Sequence, residues 1–256
     1  MPPEPSILVA LVCIALVAGV GITTVGPGGV FVTAALFALT PASPATVAGT
    51  ASATFVATGL LGSYTYRRSG ELSGDRGRAL ATVLSVTGVL GAVVGATLNT
   101  RLPRAVFGGL LAAFLAGVGL VLVIRERRGL AAVVEVDAGT TRGRTVVGAV
   151  GFVIGVAGGL LGVGGPVLTV PALVLLGTPM LLAVAAAQVQ SVFLSGFATA
   201  TYLTHGAVSP RLAVVVGVPQ LVGVVLGWHV AHRVPAPRLR SALGGVLVLV
   251  GVVLVA

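Results

Sequence analysis

Apolar residues occupy long uncharged stretches of this chain, at 7–66, 79–100, 105–124, 145–204, 212–231 and 241–256, and polar residues collect between them. Each stretch except the last reaches the ~20 residues that a helix needs to cross a bilayer core. The last is short and is expected to lie against its neighbours. Breakers punctuate the two longest stretches: Gly26-Pro27-Gly28-Gly29 and Gly162-Val163-Gly164-Gly165, then Thr40-Pro41-Ala42-Ser43-Pro44 and Gly177-Thr178-Pro179. The pattern predicts helices at about 7–25, 30–40 and 45–66, and again at about 146–161, 166–177 and 180–203. A hairpin of two helices follows each set. The fold class is an all-α polytopic membrane protein.

The similar punctuation reflects a duplication. Displaced by 136 residues, the chain falls on itself without a gap: Gly19 on Gly155, Gly26 on Gly162, Gly28-Gly29 on Gly164-Gly165, Tyr66 on Tyr202, Gly70 on Gly206, Gly91 on Gly227, and Gly108-Gly109 on Gly244-Gly245. Thr33 meets Thr169 and Arg104 meets Arg240 in the same frame. Eight glycine pairs coincide, where glycine abundance alone would give roughly three. The expected organisation is a first repeat over 1–128, a linker over 129–145 and a second repeat over 146–256. Each repeat carries a glycine-rich broken helix or re-entrant hairpin, as many transporters do.

Composition agrees with a lipid solvent. Hydrophobic residues make up 56% of the chain and charged residues 8%, with a mean hydropathy of +1.12, outside the range of soluble domains. The first apolar run lacks a basic leader and is followed by further membrane-like sequence, so it reads as a span and not a signal peptide. Cys13 is the single cysteine, which excludes a disulfide framework, a CxxC motif and a cysteine-based metal site. No cofactor or metal is expected.

The net charge of +9 comes from fifteen arginines. They cluster in loops bounding the apolar spans, which marks them as topology signals and not a nucleic-acid surface. If the chain enters, breaks at Gly26–Gly29 and returns to the same side, the repeats are inverted, with 12 arginines inside and 3 outside. A single broken span would give parallel repeats with 10 inside and 5 outside. The count favours inversion.

Candidate chemistry starts at the breaks. Glycine and proline interrupt the helical hydrogen-bond ladder, and freed backbone groups are tolerated in a membrane only where protein or a wet cavity covers them. Two half-helix N-termini meeting near the midplane can hold an anion with N–H groups alone. The candidate substrate-binding glycines are Gly26, Gly28, Gly29, Gly162, Gly164 and Gly165. By contrast, Gly108-Gly109 and Gly244-Gly245 read as close-packing positions. The following helix of each copy adds Ser52 and Thr54, or Gln188, Gln190 and Ser191, with Ser195 one turn further on. Neutral donors of this kind suit a desolvated oxyanion. Glue between helices and hydroxyls bonded to their own helix carbonyls are the competing explanations. Asn99 and Gln220 are isolated and read as packing or capping residues. No acid, base or lysine falls inside a predicted span, and the histidines sit in loops or near a helix end, which favours a facilitator over a proton-coupled pump.

The run from Gly155 to Leu173, Gly-Val-Ala-Gly-Gly-Leu-Leu-Gly-Val-Gly-Gly-Pro-Val-Leu-Thr-Val-Pro-Ala-Leu, with Gly177, Tyr202 and Gly206 after it, resembles the second-half signature of the TauE/SafE family. Gly19, Gly26, Gly28 and Gly29 repeat it more loosely. The chain departs from the family at Val30 and Pro166, where a third glycine is common, and its first copy has Ala35 where the second has Pro171. The resemblance implies a permease of the cytoplasmic membrane that moves sulfite, sulfoacetate or a related sulfur-containing anion, usually outward. Its partners would be a small-molecule anion and the lipid bilayer. The competing readings are an anion channel, a carrier for another small metabolite and an intramembrane hydrolase. The last would need Ser195 and His205, ten residues apart, to act together without a G-x-S-x-G motif.

Overall fold

The computed structural model describes residues 4–68, 70, 72, 75–128, 140–231 and 236–254. Its elements are α1 (Pro5–Thr24), a 3₁₀ turn (Pro27–Gly29), α2 (Val30–Leu39), α3 (Pro44–Arg68), α4 (Asp75–Asn99), α5 (Arg104–Arg128), α6 (Thr141–Leu161), α7 (Pro166–Leu175), α8 (Met180–Thr204), α9 (Pro210–Ala231) and α10 (Ala236–Val253). There is no strand among the described residues. Among the described residues seven helices, α1, α3 to α6, α8 and α9, are long and apolar enough to cross a membrane. The chain is a multi-pass membrane protein.

Helix α6 starts at Thr141, inside the segment expected to be linker. Thr140 caps it, its hydroxyl accepting the Gly143 N–H at 3.0 Å. Residues 129–139 of that expected linker lie outside the described residues.

Small residues decide how the helices pair. Helices α1 and α9 run parallel and almost touch: a Cβ on Gly19 would lie 2.1 Å from Gln220 O, and one on Gly223 would lie 2.1 Å from Leu16 O. Helices α4 and α6 repeat that contact: an added Cβ would lie 2.2 Å from Phe152 O at Gly91 and 2.3 Å from Gly88 O at Gly155. Only glycine lets backbones approach so closely. The central pair, α3 and α8, is antiparallel: Gly49 meets Tyr202 and Ala207, and Gly62 meets Gln188. Helices α5 and α10 pack together, with Gly119 against Gly244 O. Among the glycine pairs read as packing positions, Gly108 meets Phe37 and Gly244 meets Val123, but Gly109 and Gly245 have nothing within 4 Å. Packing does not require glycine at those two outward-facing positions.

Equivalent features recur 136 residues apart. Helices α2 and α7 begin at 30 and 166 and end at 39 and 175; α3 and α8 begin at 44 and 180 and end at 68 and 204. The buried Tyr66 hydroxyl donates to Thr23 O (2.8 Å), and the buried Tyr202 hydroxyl donates to Gly159 O (2.7 Å). Each phenol therefore satisfies a carbonyl in the last turn of α1 or α6, where intrahelical donors run out.

Arg104, expected only as a topology signal, has a structural task. Its guanidinium donates to the carbonyls of Ala42 (2.5 Å), Phe37 (2.6 Å) and Thr40 (3.1 Å) and lies 4.4 Å from the Phe37 ring centre. Helix α2 has only ten residues, and one arginine satisfies the carbonyls at and beyond its C-terminus, on the favourable side of its dipole. Arg104→Leu is expected to lower stability by about 1–3 kcal/mol, measured as thermal unfolding of the detergent-solubilised protein. Arg101→Leu, in the same loop, should change it by much less.

Candidate functional site

The two glycine clusters end α1 and α6 by different local means. Gly26 has φ 106° and Gly162 has φ 62°, and both lie in the left-handed region that disfavours a side chain. After Gly26 the chain makes the 3₁₀ turn before α2; after Gly162 it passes through Gly164-Gly165 into α7, with Pro166 as first residue. Both breaks are wholly buried, so protein covers their freed backbone groups.

The breaks touch one another. A Cβ at Gly26 would lie 2.9 Å from Pro166 O and from Val170 Cγ2, and the Thr33 hydroxyl donates to Gly162 O at 2.5 Å. The Phe55 ring of α3 sits between them: a Cβ would lie 2.7 Å from it at Gly29 and 3.1 Å from it at Gly164. Phe55 is 2% exposed. The N-terminal ends of α2 and α7 thus converge on a single aromatic ring. Gly28 packs onto the α1 backbone at Ala18 and Gly21, and Gly162 onto Ala48 of α3. Gly165 lies against α8 at Ala187 O and Ser191 N. Pro166 has no N–H, and the Val167 N–H donates to Gly164 O at 3.3 Å.

The polar side chains divide into engaged and unengaged groups. The Gln190 side-chain oxygen accepts from the Thr169 hydroxyl, and its Nε2 donates to Leu84 O at 3.3 Å, so Gln190 ties α8 to α7 and α4. The Thr54 hydroxyl donates to Ala51 O at 2.8 Å, in its own helix, while its methyl group faces Gly217 of α9. Gln188 is 1% exposed, and neither of its amide atoms has a hydrogen-bond partner; the same holds for the Ser195 hydroxyl. Ser52 and Ser191 are each 2% exposed. Because α3 and α8 are antiparallel and Gln188 lies at Gly62, Ser52 is ten residues away along α3, about 15 Å of helical rise. The structure gathers Gly26, Gly29, Gly162, Gly164, Gly165 and Ser191 around the meeting breaks and places Ser52 on the far side of Phe55 from Gln188.

Phe55 was missed because a lone phenylalanine in an apolar stretch reads as core. Thr33 and Thr169 carried a signal, their coincidence in the 136-residue frame. Asn99 donates to Leu160 O at 2.5 Å, in keeping with its capping role. Gln220 is fully buried and neither amide atom is bonded, so of the two roles it does not cap. His205 is exposed and bonds to Thr201 O at 2.9 Å, about 15 Å of helical rise from Ser195.

Two half-helix ends thus converge on Phe55, and the unengaged Gln188 amide lies on α8 against Gly62. The model of the family described as "Sulfite exporter TauE/SafE" matches residues 11–254, nearly the whole chain. No curated protein and no solved structure matches. The family consists of membrane transporters, and the chain belongs to it.

Proposed function

We propose that this protein is a permease of the cytoplasmic membrane that exports a small sulfur-containing oxyanion, such as sulfite or sulfoacetate, through a site between two inverted repeats. The observation that carries the reading is the convergence of both glycine breaks on Phe55. The N-terminal dipoles of α2 and α7 point at one place, where each contributes roughly half a positive charge. The N–H groups of Gly164 and Gly165 and the Gln188 amide supply hydrogen bonds to the anion without a basic side chain. The parallel α1/α9 and α4/α6 pairs, the antiparallel α3/α8 pair and the matching tyrosine bonds support the inverted arrangement. Phe55 fills the meeting point when no solute is bound and turns aside to let one through.

Efflux of an anion runs down the inside-negative potential, worth about 2.3 kcal/mol per charge per 100 mV, so no ionisable coupling residue is required. Reconstitution into liposomes loaded with labelled sulfite or sulfoacetate tests the proposal. Efflux should saturate with internal substrate, accelerate when the interior is made negative and show counterflow. Absence of flux for every sulfur anion with correctly folded protein would remove the proposal, and non-saturating currents would favour a channel.

A further inference from the structure

We infer that the groove between α3, α4 and α8 is a binding site for an anionic glycerophospholipid, separate from the meeting point of the breaks. The groove has a volume of about 790 Å³. Its lining changes character in one direction along α4. Arg67, in the last turn of α3, and Arg78, in the first turns of α4, stand at one end. Thr82 and Ser85 come next, one and two turns deeper. Beyond them Val86, Val89 and Leu90 line the floor with Phe193 and Phe197 of α8.

That order is the order of groups in a glycerophospholipid. Guanidinium groups pair with phosphate, hydroxyls donate to ester carbonyls, and an acyl chain lies on aliphatic and aromatic side chains. Arg78 to Leu90 covers twelve residues, about 18 Å of helical rise, slightly more than half the ~30 Å hydrocarbon core and so the reach of one acyl chain. Ser85 supplies an independent sign of a ligand: it is 7% exposed, and its hydroxyl has no partner. Leu90 (60% exposed), Phe193 (48%) and Phe197 (51%) face outward, as a chain-binding wall in a bilayer must.

The charge selects an anionic headgroup. Arg78 lies 4.0 Å from Asp75, an exposed pair that leaves it largely available. Arg68, next to Arg67, donates to the Tyr64 hydroxyl at 3.1 Å. Among the described residues, the guanidinium groups of Arg67 and Arg78 against the Asp75 carboxylate leave the groove mouth positive, which suits phosphatidylglycerol better than a zwitterionic lipid.

Native mass spectrometry of the purified full chain, offered equal dioleoyl phosphatidylglycerol and dioleoyl phosphatidylcholine, tests the site. The wild type is expected to retain phosphatidylglycerol in preference. Each arginine near the surface contributes about five-fold to that preference, so Arg78→Gln should lose about five-fold and Arg67→Gln/Arg78→Gln about 25-fold. Val89→Trp, which fills the tail path, should lower retention of both lipids. Dihexanoyl phosphatidylglycerol should displace the bound lipid, and glycerol 3-phosphate should not. Undiminished preference in both arginine variants, full retention by Val89→Trp, or displacement by glycerol 3-phosphate as effective as by the short-chain lipid would each overturn the assignment.

Discussion

Gly164→Leu is expected to reduce sulfoacetate efflux from liposomes by about tenfold or more, while Gly109→Leu leaves it near wild type. A Cβ at Gly164 would lie 3.1–3.4 Å from three atoms of the Phe55 ring. The remaining carbons of leucine have no space between that ring and the backbone of the break. Overpacking of this kind costs about 1–3 kcal/mol, and here it falls where the proposed mechanism requires the ring to move and the Gly164 and Gly165 N–H groups to face the solute. A loss of 1.4 kcal/mol is a factor of ten in affinity. Gly109, with nothing within 4 Å of an added Cβ, is a matched control for a glycine-to-leucine change in a membrane-spanning helix. Equal losses in the two variants would mean that general damage and not the break had been measured.

The second large effect separates two glutamines that are two residues apart. Gln190→Leu removes the acceptor of the Thr169 hydroxyl and a donor to Leu84 O. It should destabilise the protein by about 1–3 kcal/mol, the cost of leaving buried polar groups unpaired. Gln188→Leu removes two amide atoms that have no partner, so stability should stay constant or rise by about 1 kcal/mol, while transport falls about tenfold. Thermal unfolding in detergent together with efflux rates gives both readouts. Loss of stability in Gln188→Leu, with transport retained, would place the solute elsewhere.

Much of this architecture was legible in the residues. Uncharged stretches gave the helices nearly to their ends, because hydrocarbon forces backbone hydrogen bonds inside each segment and leaves few alternatives. The breaks were legible because glycine and proline have few other uses at that depth, and Gly26 and Gly162 do take positive φ. Helix ends capped by polar contacts were less legible: α6 gains a first turn from Thr140, and α2 depends on Arg104, 64 residues from Thr40 in sequence.

The site was readable as a set of backbone positions and less so as side chains. The sequence marks Gln188 and Gln190 alike, as amides in an apolar helix, yet their faces differ: one meets Thr169 and the Leu84 carbonyl, the other meets Gly62 and no donor or acceptor. That difference depends on which helix packs against each face, and periodicity carries no such information. Phe55 illustrates the same limit. Its importance comes from lying opposite Gly29 and Gly164 at once, a fact of tertiary packing.

Equilibrium binding of labelled sulfoacetate to the purified protein tests the central claim, that the meeting breaks and Gln188 form an anion site. The wild type should bind saturably, and Gln188→Leu, folded and at least as stable, should bind about tenfold more weakly or worse. Wild-type affinity in that variant would contradict the account.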